Sequence, residues 1–191
     1  MRRTLVIAAI LSGLVISTAT AASPFPGTKT TADRTEWRKL LHWPSACEND
    51  WRRGREPYSG IVLQPTATVR WFVQAVCIQG AYQSTQLLYL VDRGLHAVGP
   101  ISLHTYRDPG NGNPKLVRER YILGTLEFNP RTGRLVVFDK FRGIGDCGIY
   151  SVFQLKKTYF IPRAIRAKLN CNGKPPFDPK RWPSLPAPHR P

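Results

Sequence analysis

All four cysteines of the chain lie downstream of an N-terminal segment that has the features of an export signal, and this arrangement constrains the fold more than any other feature. The chain opens with Met-Arg-Arg, continues with an apolar run over residues 5–15, and reaches an Ala-Thr-Ala motif at residues 19–21 that matches a cleavage site. The apolar run is too short for a transmembrane helix. We therefore predict a signal peptide over residues 1–21, no transmembrane segment in the mature chain, and a periplasmic or extracellular location.

An oxidising compartment allows the four cysteines to pair, so we expect structural disulfides. We predict that neighbours along the chain pair, Cys47 with Cys77 and Cys147 with Cys171, although spacing alone leaves three connectivities open. The sequence has no C-x-x-C motif and no closely spaced pair of metal ligands, which argues against a redox centre and against a zinc site. We predict neither a metal nor a cofactor.

The chain is strongly basic, with 28 Lys and Arg residues against 12 Asp and Glu and a formal net charge of +16. Such a charge attracts anionic partners, and for an exported protein we expect an anionic envelope polymer or an acidic protein. Because the sequence contains no dense block of basic residues, a dispersed charge without a binding role is the alternative.

The pattern of apolar residues predicts one β-rich domain over residues 33–185, between a flexible leader (22–32) and a tail (186–191). Asp33 is placed to cap a helix over residues 33–42, and residues 48–57 are polar enough for a surface loop. Strands are predicted at 69–78, 85–92, 95–98, 101–106, 122–128, 134–140, 149–155 and 158–169. Their short connections favour a mainly β (β-rich α+β) fold, an antiparallel meander that forms a twisted sheet or partial barrel with one short N-terminal helix.

The most unusual segment is the glycine loop, residues 138–148, with the sequence F-D-K-F-R-G-I-G-D-C-G. Its motif residues are Arg142, Gly143, Gly145, Asp146 and Gly148. One interpretation is a tight turn that brings Cys147 to its partner, with Gly143 and Gly145 serving backbone geometry and Arg142 facing Asp146. The other is a set of backbone amides that bind an anion beside Lys140 and Arg142. We favour the tight turn.

These residues carry a resemblance to a known family. The segments F-R-G-I-G-D-C-G, Y-F-I-P-R-A-I-R-A-K-L-N-C-N-G and R-W-P-S-L resemble the C-terminal part of a bacterial exported family, domain of unknown function eleven seventy-six. The upstream part, from Cys47 to Gln83, is similar to small secreted cyanobacterial members. The resemblance implies an exported envelope protein with structural disulfides, and it implies no activity.

No catalytic residues are predicted from the sequence. The four histidines show no spacing typical of metal ligands, and no cysteine is left free to act as a nucleophile. We therefore expect a non-catalytic envelope or extracellular protein. One alternative is a basic hydrolase of an anionic polymer, which needs converging carboxylates, and Asp139 and Asp146 are the close candidates. A second alternative is a protein-inhibitor-like module that uses the loop at residues 108–114, which is also the strongest candidate for a hairpin tip.

Overall fold

The structure, a computed structural model, describes residues 33–54, 59–66, 71–92, 94, 96–108 and 112–186. The predicted signal peptide, the predicted leader and residues 187–191 of the predicted tail lie outside the described residues. Residues 109–111 of the candidate inhibitor loop also lie outside them. Where the chain is described, no helix is both long and apolar enough to cross a bilayer.

Two helices open the described chain, α1 (Arg34–Leu41) and α2 (Ser45–Gly54). The prediction of α1 is confirmed: the Asp33 carboxylate accepts hydrogen bonds from the Thr35 and Glu36 amides, and His42 ends the helix with φ of 49°. The expectation of a surface loop at 48–57 is wrong for its described part. Residues 45–54 are helical because Cys47 and Trp51, one turn apart, bury one face of α2.

The remaining elements of the described chain are almost all strands, as the sequence predicts. In chain order they are β1 (Ile61–Pro65), β2 (Trp71–Gln79), β3 (Ser84–Val91), β4 (Ala97–Val98), β5 (Leu103–Arg107), β6 (Lys115–Glu119), β7 (Ile122–Asn129), β8 (Arg134–Lys140), β9 (Gly148–Lys156), β10 (Tyr159–Lys168) and β11 (Ser184–Leu185). The main sheet has the order β1-β2-β3-β7-β8-β9-β10-β11, with β4 on β3, and β5 and β6 form a separate hairpin. All pairings are antiparallel, so the predicted fold class is confirmed.

The main sheet consists of two halves, β1–β4 and β7–β11, that share only a short seam. Along this seam Ser84–Gln86 of β3 pair with residues 122–124 of β7, and at the other end of β3 Leu90 and Val91 pair with Val98 and Ala97 of β4. An apolar core between the halves draws on β2, β3, β5, β7, β8, β9 and β10. At its centre the Phe72 ring lies 4.4 Å from Phe128 and 5.8 Å from Phe160. The sheet therefore encloses its core on the side away from the helices.

A second core fixes the helices to the other face of β2 and β3, and it contains Trp37, Trp43 and Tyr89. The first disulfide, Cys47–Cys77, joins α2 to β2 across 30 residues of sequence. The second, Cys147–Cys171, joins the residue before β9 to the segment after β10 across 24 residues. Both predicted pairings are confirmed. The segment after Cys171 returns along β10, where the Ala167 amide donates to the Pro183 carbonyl.

Candidate functional site

Basic side chains surround an aromatic cluster on the outer face of β8, β9 and β10. Cross-strand pairs have side chains on the same face, so the register of these strands places the row Phe138–Tyr150–Arg166 beside the row Lys140–Gly148–Lys168. Trp182 packs against Phe138 and Tyr150 and is only 1% exposed. We call Arg134, Lys140, Arg166 and Lys168 the cationic face.

The cations of this face bond to neutral partners. Arg166 donates to the carbonyl of Trp182 at 3.0 Å, and Lys168 donates to the carbonyl of Lys174. Lys140 Nζ lies 5.5 Å above the Phe138 ring, and Lys168 Nζ lies 5.6 Å above the Phe177 ring. Gly148 separates the two lysines by two strand spacings, about 10 Å, with no side chain between them. These contacts hold the side chains in place, and among the described residues none of the four cations forms an ion pair with a carboxylate.

The charge of the protein is unevenly distributed along the chain. Residues 148–186 contain a single acid, Asp178, and the following eight Lys and Arg residues: Lys156, Lys157, Arg163, Arg166, Lys168, Lys174, Lys180 and Arg181. Six of the acids upstream pair with nearby basic groups: Glu36 with Lys39, Glu48 with Arg34 and Arg52, Asp50 with Arg53, Asp92 with His96, Glu119 with Arg107, and Asp146 with Arg142. The excess positive charge therefore concentrates on β10 and the segment that follows it.

The glycine loop is closed by an ion pair. Arg142 donates from Nε and Nη2 to the two oxygens of Asp146, at 2.7 and 2.6 Å. The Gly173 amide donates to the same carboxylate at 2.9 Å, so Asp146 also holds the segment after the second disulfide. The Arg142 guanidinium and these hydrogen bonds lower the pKa of Asp146 to about 2. The Asp146 carboxylate therefore already occupies the Arg142 guanidinium and the Gly173 amide, the donors that an external anion would need.

The glycines of the loop differ in what the backbone requires of them. Gly148 has φ of +147°, and a Cβ there would lie 2.2 Å from the carbonyl oxygen of Asp139. Gly145 has φ of +68°, but its Cβ would meet only side-chain atoms, at 3.6 Å and beyond. Gly143 does not have a positive φ, and a Cβ there would meet nothing nearer than Tyr82, at 3.5 Å. The tight path therefore depends on Gly148 and Gly145.

The end of the loop presents apolar side chains to solvent. Ile144 is 75% exposed, and Tyr82, from the turn between β2 and β3, is 45% exposed and lies beside Gly143. Gln83 fixes this turn to β8: its Oε1 accepts from the Lys140 amide at 2.8 Å, and its Nε2 donates to the Lys140 carbonyl at 3.2 Å. We call Tyr82, Gly143 and Ile144 the loop tip.

A small cavity of about 20 Å³ lies between the β5–β6 hairpin and the inner face of β7, β8 and β9. Arg107 donates two hydrogen bonds to Glu119, at 2.8 and 2.7 Å. Asp139 faces the same cavity and accepts a hydrogen bond from Gln83; burial raises the pKa of this carboxyl above its usual range. The buried Ser151 hydroxyl has no hydrogen-bond partner among the described residues. The volume suits about one water molecule.

The residues singled out from the sequence lie in two separate networks. The motif residues Arg142, Gly145, Asp146 and Gly148 do come together around the second disulfide, whereas Asp139 faces the cavity on the inner side of β8. Sequence patterns did not indicate Tyr82, Arg107 or Glu119. The one available signal was that Arg107 and Glu119 stand on either side of the predicted hairpin tip, where the two strands of a hairpin bring such residues together. Within the described residues, no group of three or more His, Cys, Asp or Glu side chains is arranged to hold a metal.

A family model described as a protein of unknown function, DUF1176, matches residues 9–187 of the chain. The chain belongs to this family. The match covers both disulfides, the cationic face and the glycine loop, so these features belong to the DUF1176 region. Comparisons with curated proteins and with solved structures find no significant match. The likeness to cyanobacterial members stays a prediction.

Proposed function

We propose that this DUF1176 protein is an exported, single-domain protein of the cell envelope or the extracellular space that binds an anionic polymer through its cationic face. The observation that carries the proposal is the concentration of eight Lys and Arg residues against one acid in residues 148–186, of which Arg166 and Lys168 lie on the cationic face beside Lys140. The two disulfides support export, because such bonds form and persist mainly in oxidising compartments. The motif at residues 19–21 supports cleavage of a signal peptide.

The architecture of the face supports a polymer as the ligand. Arg166 and Lys168 lie on one strand two residues apart, and Lys140 lies two strands away, so the cations follow an extended surface. An extended surface suits a repeating anionic chain, whose many weak contacts add together. The charges are partly exposed, so the attraction depends on ionic strength.

The cavity supplies the converging carboxylates that the hydrolase alternative needs, Glu119 and Asp139, but not the room for a substrate. A volume of about 20 Å³ admits one water molecule and no part of a polymer. Asp139 and Asp146, the pair named from the sequence, belong to different networks. We therefore favour binding over hydrolysis. The inhibitor-like alternative depends on residues 109–111, which lie outside the described part.

Retention on immobilised heparin, a sulfated glycan, tests the proposal. We expect the double variant Lys140→Glu/Lys168→Glu to elute at lower salt than the parent. The control is Lys39→Glu/Arg53→Glu, which changes the net charge equally at two exposed helical positions. A smaller decrease in the eluting salt concentration for the control would support binding through the cationic face. Equal shifts in both double variants would show that dispersed charge, and not the face, governs retention.

A further inference from the structure

We propose that the loop tip docks onto an anionic lipid bilayer, with Ile144 and Tyr82 entering the headgroup region. This goes beyond the proposed function, because it assigns a different ligand to a different set of side chains. The cationic face and the loop tip meet at Lys140, so one orientation of the protein can serve both.

The loop tip exposes apolar side chains on backbone segments that are held in place. Ile144, 75% exposed, stands between Gly143 and Gly145 in a loop that the Arg142–Asp146 pair and the Cys147–Cys171 disulfide hold from both sides. Tyr82, 45% exposed, is fixed through Gln83 to the backbone of β8. Because the backbone on which they stand is held, presenting these two side chains to a membrane interface requires little ordering of the chain. A tyrosine also suits that interface, since its ring is apolar and its hydroxyl is polar.

The charges around the tip match a negative surface. The Arg142 side chain is 43% exposed, whereas the carboxylate that pairs with it, Asp146, is 2% exposed, so an approaching surface meets the guanidinium side of this ion pair. Lys140 lies on the near side of the loop, with its aliphatic stem beside Gly145. Anionic headgroups attract basic residues close to the membrane surface, and this attraction adds to the free energy gained by burying the apolar side chains.

The shape of the tip favours a bilayer over an acidic protein. A stable protein interface buries about 800 Å² on each partner and requires a matching surface. The tip offers two exposed apolar side chains, one on the glycine loop and one on the β2–β3 turn, which suit interfacial insertion when cations assist. An acidic protein partner is the alternative occupant of the tip, and a parent that fails to bind anionic vesicles would favour it over the bilayer.

Co-sedimentation with vesicles tests the proposal, with phosphatidylglycerol–phosphatidylcholine vesicles compared with pure phosphatidylcholine. We expect the parent to bind the anionic vesicles preferentially, and Ile144→Ser and Tyr82→Ser each to weaken that binding by roughly tenfold, the effect of withdrawing one apolar side chain. The control is Tyr159→Ser. Tyr159 is 51% exposed but lies at the opposite end of β9 and β10, about 25 Å away. We expect this variant to bind like the parent.

The heparin column separates the two proposals. Ile144→Ser and Tyr82→Ser should elute from heparin with the parent, and circular dichroism should show both variants folded. A parent that binds heparin but no vesicles would overturn bilayer docking and leave the polymer proposal standing. Vesicle binding that is unchanged in both tip variants would equally overturn docking by the tip. Vesicle binding without retention on heparin would support docking and contradict the polymer proposal.

Discussion

At the scale of single residues, the glycine loop combines positions that are fixed by backbone geometry with positions that are free. Gly148 has no room for a side chain, because its Cβ would overlap the Asp139 carbonyl oxygen. Gly143 has room and an ordinary backbone. Glycine is therefore required by the backbone at position 148 but not at position 143, and the sequence alone does not distinguish the two positions.

Alanine substitutions should reveal this difference. We expect Gly148→Ala to lower the free energy of unfolding by about 3 kcal/mol or more, since strain at positive φ adds to the overlap. Gly145→Ala should cost about 1 kcal/mol, from its positive φ alone. Gly143→Ala should change stability by less than about 0.5 kcal/mol. Urea denaturation of the three variants measures the order, and equal midpoints would contradict it.

Asp146 and Asp139 should affect stability in opposite directions as the pH changes. The pKa of Asp146 falls from 3.8 to about 2, so its stabilisation is complete above pH 4 and is lost as the pH falls toward 2. Burial raises the pKa of Asp139 in the folded state above its unfolded value of 3.8. The contribution of Asp139 to stability is therefore fully present below pH 3.8 and is lost as the pH rises through the folded-state pKa.

Melting temperatures from pH 2 to 7 test these signs. Asp146→Asn should melt below the parent at pH 7 and lose less stability on acidification. Asp139→Asn should melt at or above the parent at pH 7, because it removes a buried charge and keeps an acceptor for Gln83. A large loss of stability at pH 7 in Asp139→Asn would show that its charge is needed in the cavity.

At the scale of elements, α2 is the clearest difference between expectation and structure. The Arg34 guanidinium, from α1, lies 5.0 Å from the Trp43 ring and 4.5 Å from the Trp51 ring, and it bonds to Glu48 at 3.0 Å. These contacts place the polar sequence of α2 against α1. Burial lowers the pKa of Arg34 despite the attraction of Glu48.

Neutralising Glu48 should therefore destabilise the helical part. We expect Glu48→Gln to lower the free energy of unfolding by about 3 kcal/mol, because it leaves the buried Arg34 charge without its carboxylate. The control is Asp50→Asn on the same helix, which removes an exposed pair with Arg53 and should cost less than about 0.5 kcal/mol. Guanidinium denaturation of both variants measures the difference. Similar midpoints would place the Arg34 pair among ordinary surface ion pairs.

The sequence predicts elements whose signal is local and misses those whose signal is not. Asp33 caps α1 within the first turn of that helix. The strand pairs β7–β8 and β9–β10 each show an alternating residue pattern on both sides of a short turn. By contrast, α2 depends on Arg34, and the loop tip depends on Gln83 reaching Asp139 across 56 residues. The motif residues of the site could thus be named from the sequence. The apolar tip and the cavity depend on how the two halves of the sheet meet.

At the scale of the whole molecule, the core between the two halves compensates for their short seam. In the described part of the chain, strand pairing across the seam is limited to residues 84–86 and 122–124, so side-chain packing provides most of the attachment. Phe128 lies at the centre, against Phe72 and Phe160.

Removing that ring should weaken the whole fold. We expect Phe128→Ala to lower the free energy of unfolding by about 4 kcal/mol, the cost of a large buried cavity. The control is Phe177→Ala, whose ring is 55% exposed and which should change stability by less than about 0.5 kcal/mol. Urea denaturation followed by fluorescence and circular dichroism measures both. A small loss in Phe128→Ala would mean that the seam, and not the core, holds the halves together.

If the protein is exported as proposed, the consecutive pairing of the cysteines has a consequence for oxidative folding. A chain that emerges N-terminus first releases Cys47 and Cys77 well before Cys147, so the first thiol pair meets no competing partner. By the time Cys147 and Cys171 emerge, only each other is left. Order of emergence and native connectivity therefore coincide. A thiol oxidase alone would give the native product, and the protein would have no need of a disulfide isomerase.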